Sequence, residues 1–146
     1  LGLHGPWVQD NHSVSQAGVL RGVHFQWDQP QGKLVRVGPG RALDVVVDLR
    51  HDSSTFGTWK AFEIDATKHH QVWVPPGFGH AFLALEDETQ LLYKCTAVYN
   101  ADGEGNIHPF DPDLAIDWPL ERSAIQLSAR DQAGASFADY QRHPRF

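Results

Sequence analysis

The stretch RALDVVVDLR, from Arg41 to Arg50, decides the fold class because its side chains alternate with a period of two. In an extended chain, successive side chains point to opposite faces. The residues on one face are Leu43, Val45, Val47 and Leu49, and those on the other are Asp44, Val46 and Asp48. The pattern therefore predicts a β-strand with one apolar face and one mixed face.

Comparable alternation recurs along the chain as far as residue 99. It predicts further strands at about 18–26, 31–37, 59–65, 70–74, 80–86 and 89–99. Turn-forming clusters such as GPGR and PPGFG separate them, and no segment before residue 120 has a sustained helical period. Short strands at this spacing predict an all-β fold, and the leading candidate is a double-sheet jelly roll.

The pattern changes after about residue 100, where Pro, Asp and Gly interrupt it. Irregular loops with one short helix are expected there, and the polar last fifteen residues are expected to extend beyond the barrel. The sequence contains no internal repeat, linker or low-complexity segment. Residues 1–146 are therefore predicted to form a single jelly-roll domain.

Composition narrows the classes of partner. The chain has a formal net charge of -6, which argues against a general binder of nucleic acids or membrane surfaces. An anionic ligand would then need a local cluster of basic residues. Cys95 is the single cysteine, which excludes an internal disulfide and suits a reducing compartment. With neither a membrane-spanning run nor a signal peptide in view, a soluble cytoplasmic protein is expected.

The stretch GVLRGVHFQWDQPQGKLVRV, residues 18–37, places basic side chains among apolar ones. Regular alternation would send Arg21 and His24 to opposite faces, unless Gly22 permits a bulge that turns one of them. One interpretation is an edge strand guarded by charges. The other is that Arg21, His24 and Lys33 converge inside the barrel on an anionic ligand.

A second cluster, VPPGFGHAF, resembles part of the metal-binding pattern of cupins, a jelly-roll superfamily. His80 follows Pro75 and Gly77 at the spacing of the second cupin motif. The first cupin motif needs a His-x-His pair and a Glu, but here Gln26 follows His24 and no suitably placed Glu is present. Two imidazoles without a third ligand make a poor site, so no metal is predicted.

Two further features fit either packing or chemistry. Tyr93 and Tyr99 share a face in a regular strand, where they could fill the core or supply a proton donor and an aromatic platform. Asp131, in LSARD, could orient a histidine from across the barrel or could simply be solvated. The spacing alone leaves these alternatives open.

Taken together, the motifs resemble the dTDP-4-dehydrorhamnose 3,5-epimerase (RmlC-type) family. The motifs that carry the resemblance, in chain order from Val8 to Asp131, are VQDNHS, GVLRGVHFQ, QGKLVRV, DVVVDLR, VPPGFGHAF, LLYKCT, IDWPL and LSARD. The resemblance implies a cupin-like jelly roll without metal or cofactor, usually a homodimer. The implied substrate is a dTDP-4-keto-6-deoxyhexose, inverted at carbons 3 and 5.

The resemblance also implies catalytic roles. His24 matches the general base, and a free imidazole titrates near pH 6.5, which suits that task. Asp131 matches its partner in a dyad. Lys33 matches the cation beside the keto oxygen, and Tyr93 matches the acid that returns a proton.

Other matching residues are implied to bind the nucleotide sugar. Arg21 and His80 match diphosphate contacts, Tyr99 matches an aromatic near the base, and Asp44 matches an acidic residue that could pair with Lys33 or His24. The remaining matches are Gln9, Asp10, Asn11, Glu104 and Arg130.

The sequence also departs from the family pattern. Family members usually carry a longer segment before QDN, including an Arg that helps to close the nucleotide pocket; in this sequence LGLHGPW stands there. Arg130 occupies a position where Lys is commoner. Three alternatives remain beside the double epimerase: a mono-epimerase, a metal-dependent cupin enzyme using His24 and His80, and a non-catalytic sugar-nucleotide binding module.

Overall fold

The computed structural model describes residues 5–146, so the first four residues of the predicted domain lie outside the described part. Its strands form two sheets, which confirms the predicted all-β fold. The strands are β1 (Gln9–Ser15), β2 (Val19–Gln26), β3 (Lys33–Val37), β4 (Arg41–Asp48), β5 (Trp59–Asp65), β6 (Gln71–Val74), β7 (Phe78–Ala84), β8 (Thr89–Cys95), β9 (Glu104–Asn106) and β10 (Gln126–Leu127). The helices are α1 (Ala129–Gln132) and α2 (Phe137–Arg142), with 3-10 turns at Ala101–Gly103 and Arg122–Ala124.

The smaller sheet has the strand order β1-β8-β3-β6, and its neighbouring strands are antiparallel. The larger sheet has the order β10-β2-β7-β4-β5, with β9 also paired to β2. Each of the seven predicted strands is present. The strand β1 was not predicted, because its sequence QDNHSVS offers only one branched apolar side chain.

Both faces of β4 are buried, each against a different layer. Val46 packs with Val35, Phe82 and Leu91 between the two sheets, which is the barrel interior. Val45 and its face neighbours pack on the outer side of the larger sheet against the C-terminal segment. The mixed face that carries Asp44 and Asp48 therefore points into the barrel rather than into water.

The C-terminal residues lie beyond the barrel interior, on the outer side of the larger sheet, and they pack there as a covering layer. Phe137 and Tyr140, three residues apart on α2, are 4% and 6% exposed. The Tyr140 hydroxyl donates to the Leu49 carbonyl at 2.8 Å. The segment is polar on average, yet the 3.6-residue period of the helix gathers its two aromatic rings on one face.

A bulge in β2 resolves the position of the two basic residues there. Arg21 lies opposite Phe82 of β7, and His24 lies opposite His80. The step from Arg21 to His24 is three residues on β2, whereas the matching step on β7 is two, so β2 contains one extra residue. Because Phe82 and His80 are two residues apart, they share a face, and their partners Arg21 and His24 share it too. Gly22 adopts φ 118° within the bulge, which confirms the predicted distortion.

Within residues 5–146 no helix is long and apolar enough to cross a membrane.

Candidate active site

A buried carboxylate holds the imidazole of His24 at the mouth of the barrel. Nε2 of His24 lies 2.6 Å from Oδ1 of Asp131, and the two side chains are 25% and 3% exposed. His24 comes from β2 and Asp131 from the short helix α1. When the Nε2 proton points at Asp131, the lone pair of the ring lies on Nδ1.

Asp131 is itself fixed by the first turn of α1. The Ser128 side chain caps this helix by accepting from the backbone N–H of Asp131, and its hydroxyl donates to Oδ2 of Asp131 at 2.8 Å. Burial alone would raise the pKa of Asp131, but hydrogen bonds from His24, Ser128 and the backbone of Gly22 outweigh it and lower the pKa. Asp131 therefore stays an anion that orients His24.

Two adjoining cavities meet at His24 and Arg130. The first has a volume of about 310 Å³, and its other lining residues include Gln9, Asn11, Lys33, Tyr93, Tyr99 and Glu104. The second has a volume of about 480 Å³, and its other lining residues include Arg21, Gln126, Leu127, Ser128 and Asp131. The imidazole of His24 thus lines both cavities, which together are large enough for a sugar and a neighbouring charged group.

Lys33 and Tyr93 form the wall of the first cavity opposite His24. They lie on β3 and β8 of the smaller sheet, and Nζ of Lys33 is 5.9 Å from the centre of the Tyr93 ring. Burial lowers the pKa of Lys33 from 10.5, and interactions with Cys95, Glu104 and Asp44 oppose this shift without outweighing it. Burial likewise raises the pKa of Tyr93 from 10.0, so its phenol keeps its proton near neutral pH.

A second histidine–carboxylate pair lies beneath Tyr93. Nε2 of His80 is 2.8 Å from Oδ2 of Asp44, and both side chains are buried. The His80 and Tyr93 rings are 6.5 Å apart between centres. Neither His80 nor Asp44 is among the lining residues of the two cavities, so the structure brings this pair to Tyr93 rather than to the cavity surface.

The three residues of the QDN motif do not act as one group. Alternation along β1 turns Gln9 and Asn11 toward the first cavity, while Asp10 points to the outer face of the sheet. There Asp10 accepts from Nζ of Lys94 at 2.8 Å. Asp10 is the one predicted site residue that lies on the far side of its sheet.

The remaining predicted residues surround the cavities. Arg21 donates to Oγ of Ser15 at 3.3 Å and lines the second cavity with His24. The Tyr99 hydroxyl donates to Glu104 at 2.7 Å, and Glu104 also forms an ion pair with Arg130. The hydrogen bond to Glu104 is the main reason that the pKa of Tyr99 is raised.

Over residues 5–146, His, Cys, Asp and Glu side chains form no group of three that could hold a metal ion. The Gln26 amide, at the position of the second histidine of a cupin metal motif, instead bonds to the backbone at Gln29, Val98 and Asn100.

Residues 1–139 match the sequence model of the family described as dTDP-4-dehydrorhamnose 3,5-epimerase. The chain belongs to this family. A dTDP-4-dehydrorhamnose 3,5-epimerase of Methanothermobacter thermautotrophicus is 50% identical over 120 residues, which cover 82% of this chain and 65% of that protein. The corresponding enzyme of Neisseria gonorrhoeae is 46% identical over 90% of this chain, which spans only 40% of it.

Solved structures of epimerases have the same fold. The epimerase RmlC of Legionella pneumophila, in complex with dTDP-4-keto-L-rhamnose, is 46% identical with a TM-score of 0.90, covering 94% of this chain and 72% of that one. ChmJ, a 3'-monoepimerase from Streptomyces bikiniensis in complex with dTDP-quinovose, is 38% identical with a TM-score of 0.87, covering 94% and 69%. This similarity confirms the recognition made from the sequence motifs.

Sequence reasoning missed several residues that build the site. Gln31 lines the first cavity two residues before Lys33, and Ser128 fixes Asp131. The arrangement S-x-x-D from Ser128 to Asp131 is a helix-capping signal that could have revealed this contact. Asn106, whose amide reaches toward Asp131 at 3.4 Å, had no such signal.

Proposed function

We propose that this protein is an isomerase that inverts carbons 3 and 5 of a dTDP-4-keto-6-deoxyhexose, without metal or cofactor. The observation that carries the proposal is the His24–Asp131 pair, whose imidazole lines the same cavity as Lys33 and Tyr93. A base, a cation and an acid around one cavity are the groups that this reaction needs. The Legionella relative with bound dTDP-4-keto-L-rhamnose supports the substrate class.

In the proposed first step, His24 takes a proton from a carbon next to the 4-keto group. The C–H electron pair moves toward the ketone, the C4 oxygen becomes an enolate, and the proton goes to the imidazole. Asp131 holds the ring and favours the imidazolium that forms. Lys33 stabilises the negative charge on the enolate oxygen, and its burial strengthens that interaction because little water competes.

In the second step, Tyr93 donates its phenolic proton to the same carbon from the opposite side, and the enolate returns to the ketone. His24 then releases its proton to solvent and Tyr93 takes one up from solvent, which restores both groups for the second carbon. His24 belongs to the larger sheet and Tyr93 to the smaller, so the two groups approach the cavity from facing walls. Delivery from the face opposite to abstraction inverts the centre. The buried His80–Asp44 pair lies next to Tyr93, which suits a role in fixing that ring.

The nucleotide is proposed to lie toward the second cavity and the Tyr99 side of the first. Arg21 and Arg130 offer guanidinium groups to the diphosphate. Tyr99 offers an exposed ring for the base, and Gln9, Asn11 and Glu104 offer polar contacts. No substrate contact is proposed for Asp10, because its side chain points to the outer face of the sheet.

A mono-epimerase is the second candidate, favoured by the similarity to the 3'-monoepimerase ChmJ. The same base, cation and acid would serve both reactions. The pose of the ring between His24 and Tyr93 would decide whether one carbon or two are reached.

We further propose a homodimer in which a second copy covers the outer face of the smaller sheet. Within residues 5–146 its edge strand β1 pairs only with β8, and Val8 and Val14 are each 47% exposed. In light scattering coupled to gel filtration, Val14→Arg should shift the wild-type dimer toward monomer. Phe62→Arg, which places a charge on the larger sheet, should not. A monomeric wild type would contradict the dimer.

A cytoplasmic location is proposed from the single cysteine, which is reduced and buried, and from the charged nucleotide substrate, which does not cross a bilayer unaided.

Turnover of dTDP-4-keto-6-deoxyglucose by the purified protein tests the activity, with the product sugar followed by NMR and dTDP binding followed by calorimetry. Epimerisation by the wild type, with binding but no turnover by His24→Ala, is the expected result. Binding of dTDP without any epimerisation by the wild type would indicate a non-catalytic module. Activity that depends on added iron, zinc or manganese and is lost on chelation would contradict the proposed mechanism.

A further inference from the structure

Residues 96–100 leave the strand β8 and carry Tyr99 to the edge of the first cavity. Their backbone is held by three glutamine side chains, which we call the glutamine cradle: Gln9, Gln26 and Gln31. Four consecutive residues take part. The contacts are Gln31 Nε2 to Ala97 O at 2.8 Å, Gln26 Nε2 to Val98 O at 3.1 Å, Tyr99 N to Gln9 Oε1 at 2.7 Å and Asn100 N to Gln26 Oε1 at 2.9 Å.

Gln26 is the central member of the cradle. Its amide bonds both neighbours of Tyr99, accepting from Asn100 and donating to Val98, and it also donates to the Gln29 carbonyl at 2.8 Å. The side chain is only 5% exposed, and it is not among the lining residues of either cavity. A buried amide with its donors and its acceptor engaged fixes the backbone on either side of Tyr99.

We infer that Gln26 is a positioning residue for nucleotide affinity, which acts by fixing the segment that carries Tyr99. This inference rests on the proposed function, in which Tyr99 contacts the nucleotide. The Tyr99 hydroxyl bonds Glu104, which pairs with Arg130, so a shift of the segment would displace a chain of groups along the cavity.

The effect on the chemical step should be small. His24 lies two residues away on β2, but strand pairing to His80 and Asn106 holds its backbone, and Asp131 holds its ring. None of these contacts passes through the Gln26 amide. Loss of Gln26 should therefore weaken binding and leave the turnover of bound substrate nearly intact.

Gln26→Met, which keeps the side-chain length without hydrogen bonds, tests the inference. We expect the Kd for dTDP and the KM to rise about tenfold, with kcat changed less than about threefold. Gln26→Glu keeps the shape and the acceptor but lacks both amide donors, and it should weaken binding in the same direction if Gln26→Met folds poorly. Unchanged Kd and KM in a folded Gln26 variant would overturn the inference.

Thr89→Val is the matched structural control. The Thr89 hydroxyl is also buried and bonds the backbone of Arg41 and Glu86, but it lies at the opposite end of β8 from Cys95. This variant should lower the Tm without changing the Kd for dTDP. If both variants lowered the Tm and raised the Kd alike, Gln26 would have a general structural role and the inference would fail.

A double-mutant cycle with Tyr99→Ala shows whether Gln26 acts through Tyr99. The expected result is that Gln26→Met adds little to the loss of dTDP affinity already caused by Tyr99→Ala. If the double variant lost dTDP affinity by the product of the two single-variant losses, the inference would be overturned. A wild type that binds dTDP without epimerising would contradict the proposed function. The inference about Gln26 would still be tested, because the dTDP affinity of the Gln26 variants can be measured without turnover. A wild type that does not bind dTDP would contradict both.

Discussion

Nε2 of His24 lies 2.6 Å from Oδ1 of Asp131, although 107 positions separate the two residues in the sequence. The bulge at Gly22 turns His24 inward, and the Ser128 cap presents Asp131 from the other side. This contact joins β2 to α1, two elements far apart in the sequence, beside one cavity.

Removal of the proposed base should greatly slow proton abstraction. His24→Ala should lower kcat about a thousandfold because a positioned general base contributes that order of acceleration. Solvent deuterium exchange into the sugar measures it directly. His70→Ala, which removes an exposed imidazole from the connection before β6, is the control and should leave the exchange rate unchanged. Equal rates in wild type and His24→Ala would remove His24 from the mechanism.

Tyr93→Phe should separate abstraction from reprotonation. His24 remains in place, so deuterium from the solvent should still enter the sugar, but without the phenol the inverted product should form at least about a hundredfold more slowly. The deuterium content of recovered substrate and of product, followed over time, gives the rate of proton abstraction relative to the rate of inversion. Full product formation by the variant would show that another group delivers the proton.

The alkaline limit of activity should belong to Lys33. Burial lowers the pKa of this amine from 10.5, and in the proposed mechanism only its charged form stabilises the enolate, so kcat should fall as the pH rises through a value below 10.5. In Lys33→Arg the guanidinium stays charged, and the alkaline limb should move to higher pH even if kcat is reduced. If kcat of Lys33→Arg fell at the same alkaline pH as that of the wild type, the fall would belong to a group other than Lys33.

Asp48 should set part of the acid stability. Burial alone would raise its pKa, but hydrogen bonds from Arg50, Ser53 and Thr55 outweigh it and lower the pKa well below 3.8. Its stabilisation is therefore present above about pH 4 and is lost as the pH falls toward the folded-state pKa. Asp48→Asn should cost about 2 kcal/mol of unfolding free energy at pH 7.

The difference between wild type and Asp48→Asn should shrink at pH 3, as measured by urea unfolding at both pH values. Asp52→Asn, an exposed neighbour, is the control and should change the unfolding free energy little at either pH. A difference that stays constant with pH would show that the charge of Asp48 is not the stabilising feature.

Alternation predicted the strands well, and it failed where a second layer changes the surroundings. It separated the two faces of β4, but it could not show that Asp44 points into the barrel, because that depends on the C-terminal segment covering the other face. It missed β1, in which few apolar residues mark the pattern. The bulge at Gly22 was predictable because two basic residues could meet no other way.

Local sequence patterns predicted fewer of the site residues than of the strands. Asp131 entered through family resemblance, since a contact across 107 positions leaves no periodic signal. Gln26 and Gln31 were not recognised, because an amide that bonds the backbone of a distant loop follows no spacing rule. Asp10 was grouped with its neighbours by motif, while strand alternation turned it away.

The central claim is that His24 and Tyr93 exchange protons at two carbons beside the ketone. Proton NMR of dTDP-4-keto-6-deoxyglucose with the protein in heavy water tests it most directly. We predict loss of the signals at carbons 3 and 5 together with appearance of the doubly inverted sugar. Exchange at one carbon alone would contradict double epimerisation, and no exchange at either carbon would contradict the catalytic role.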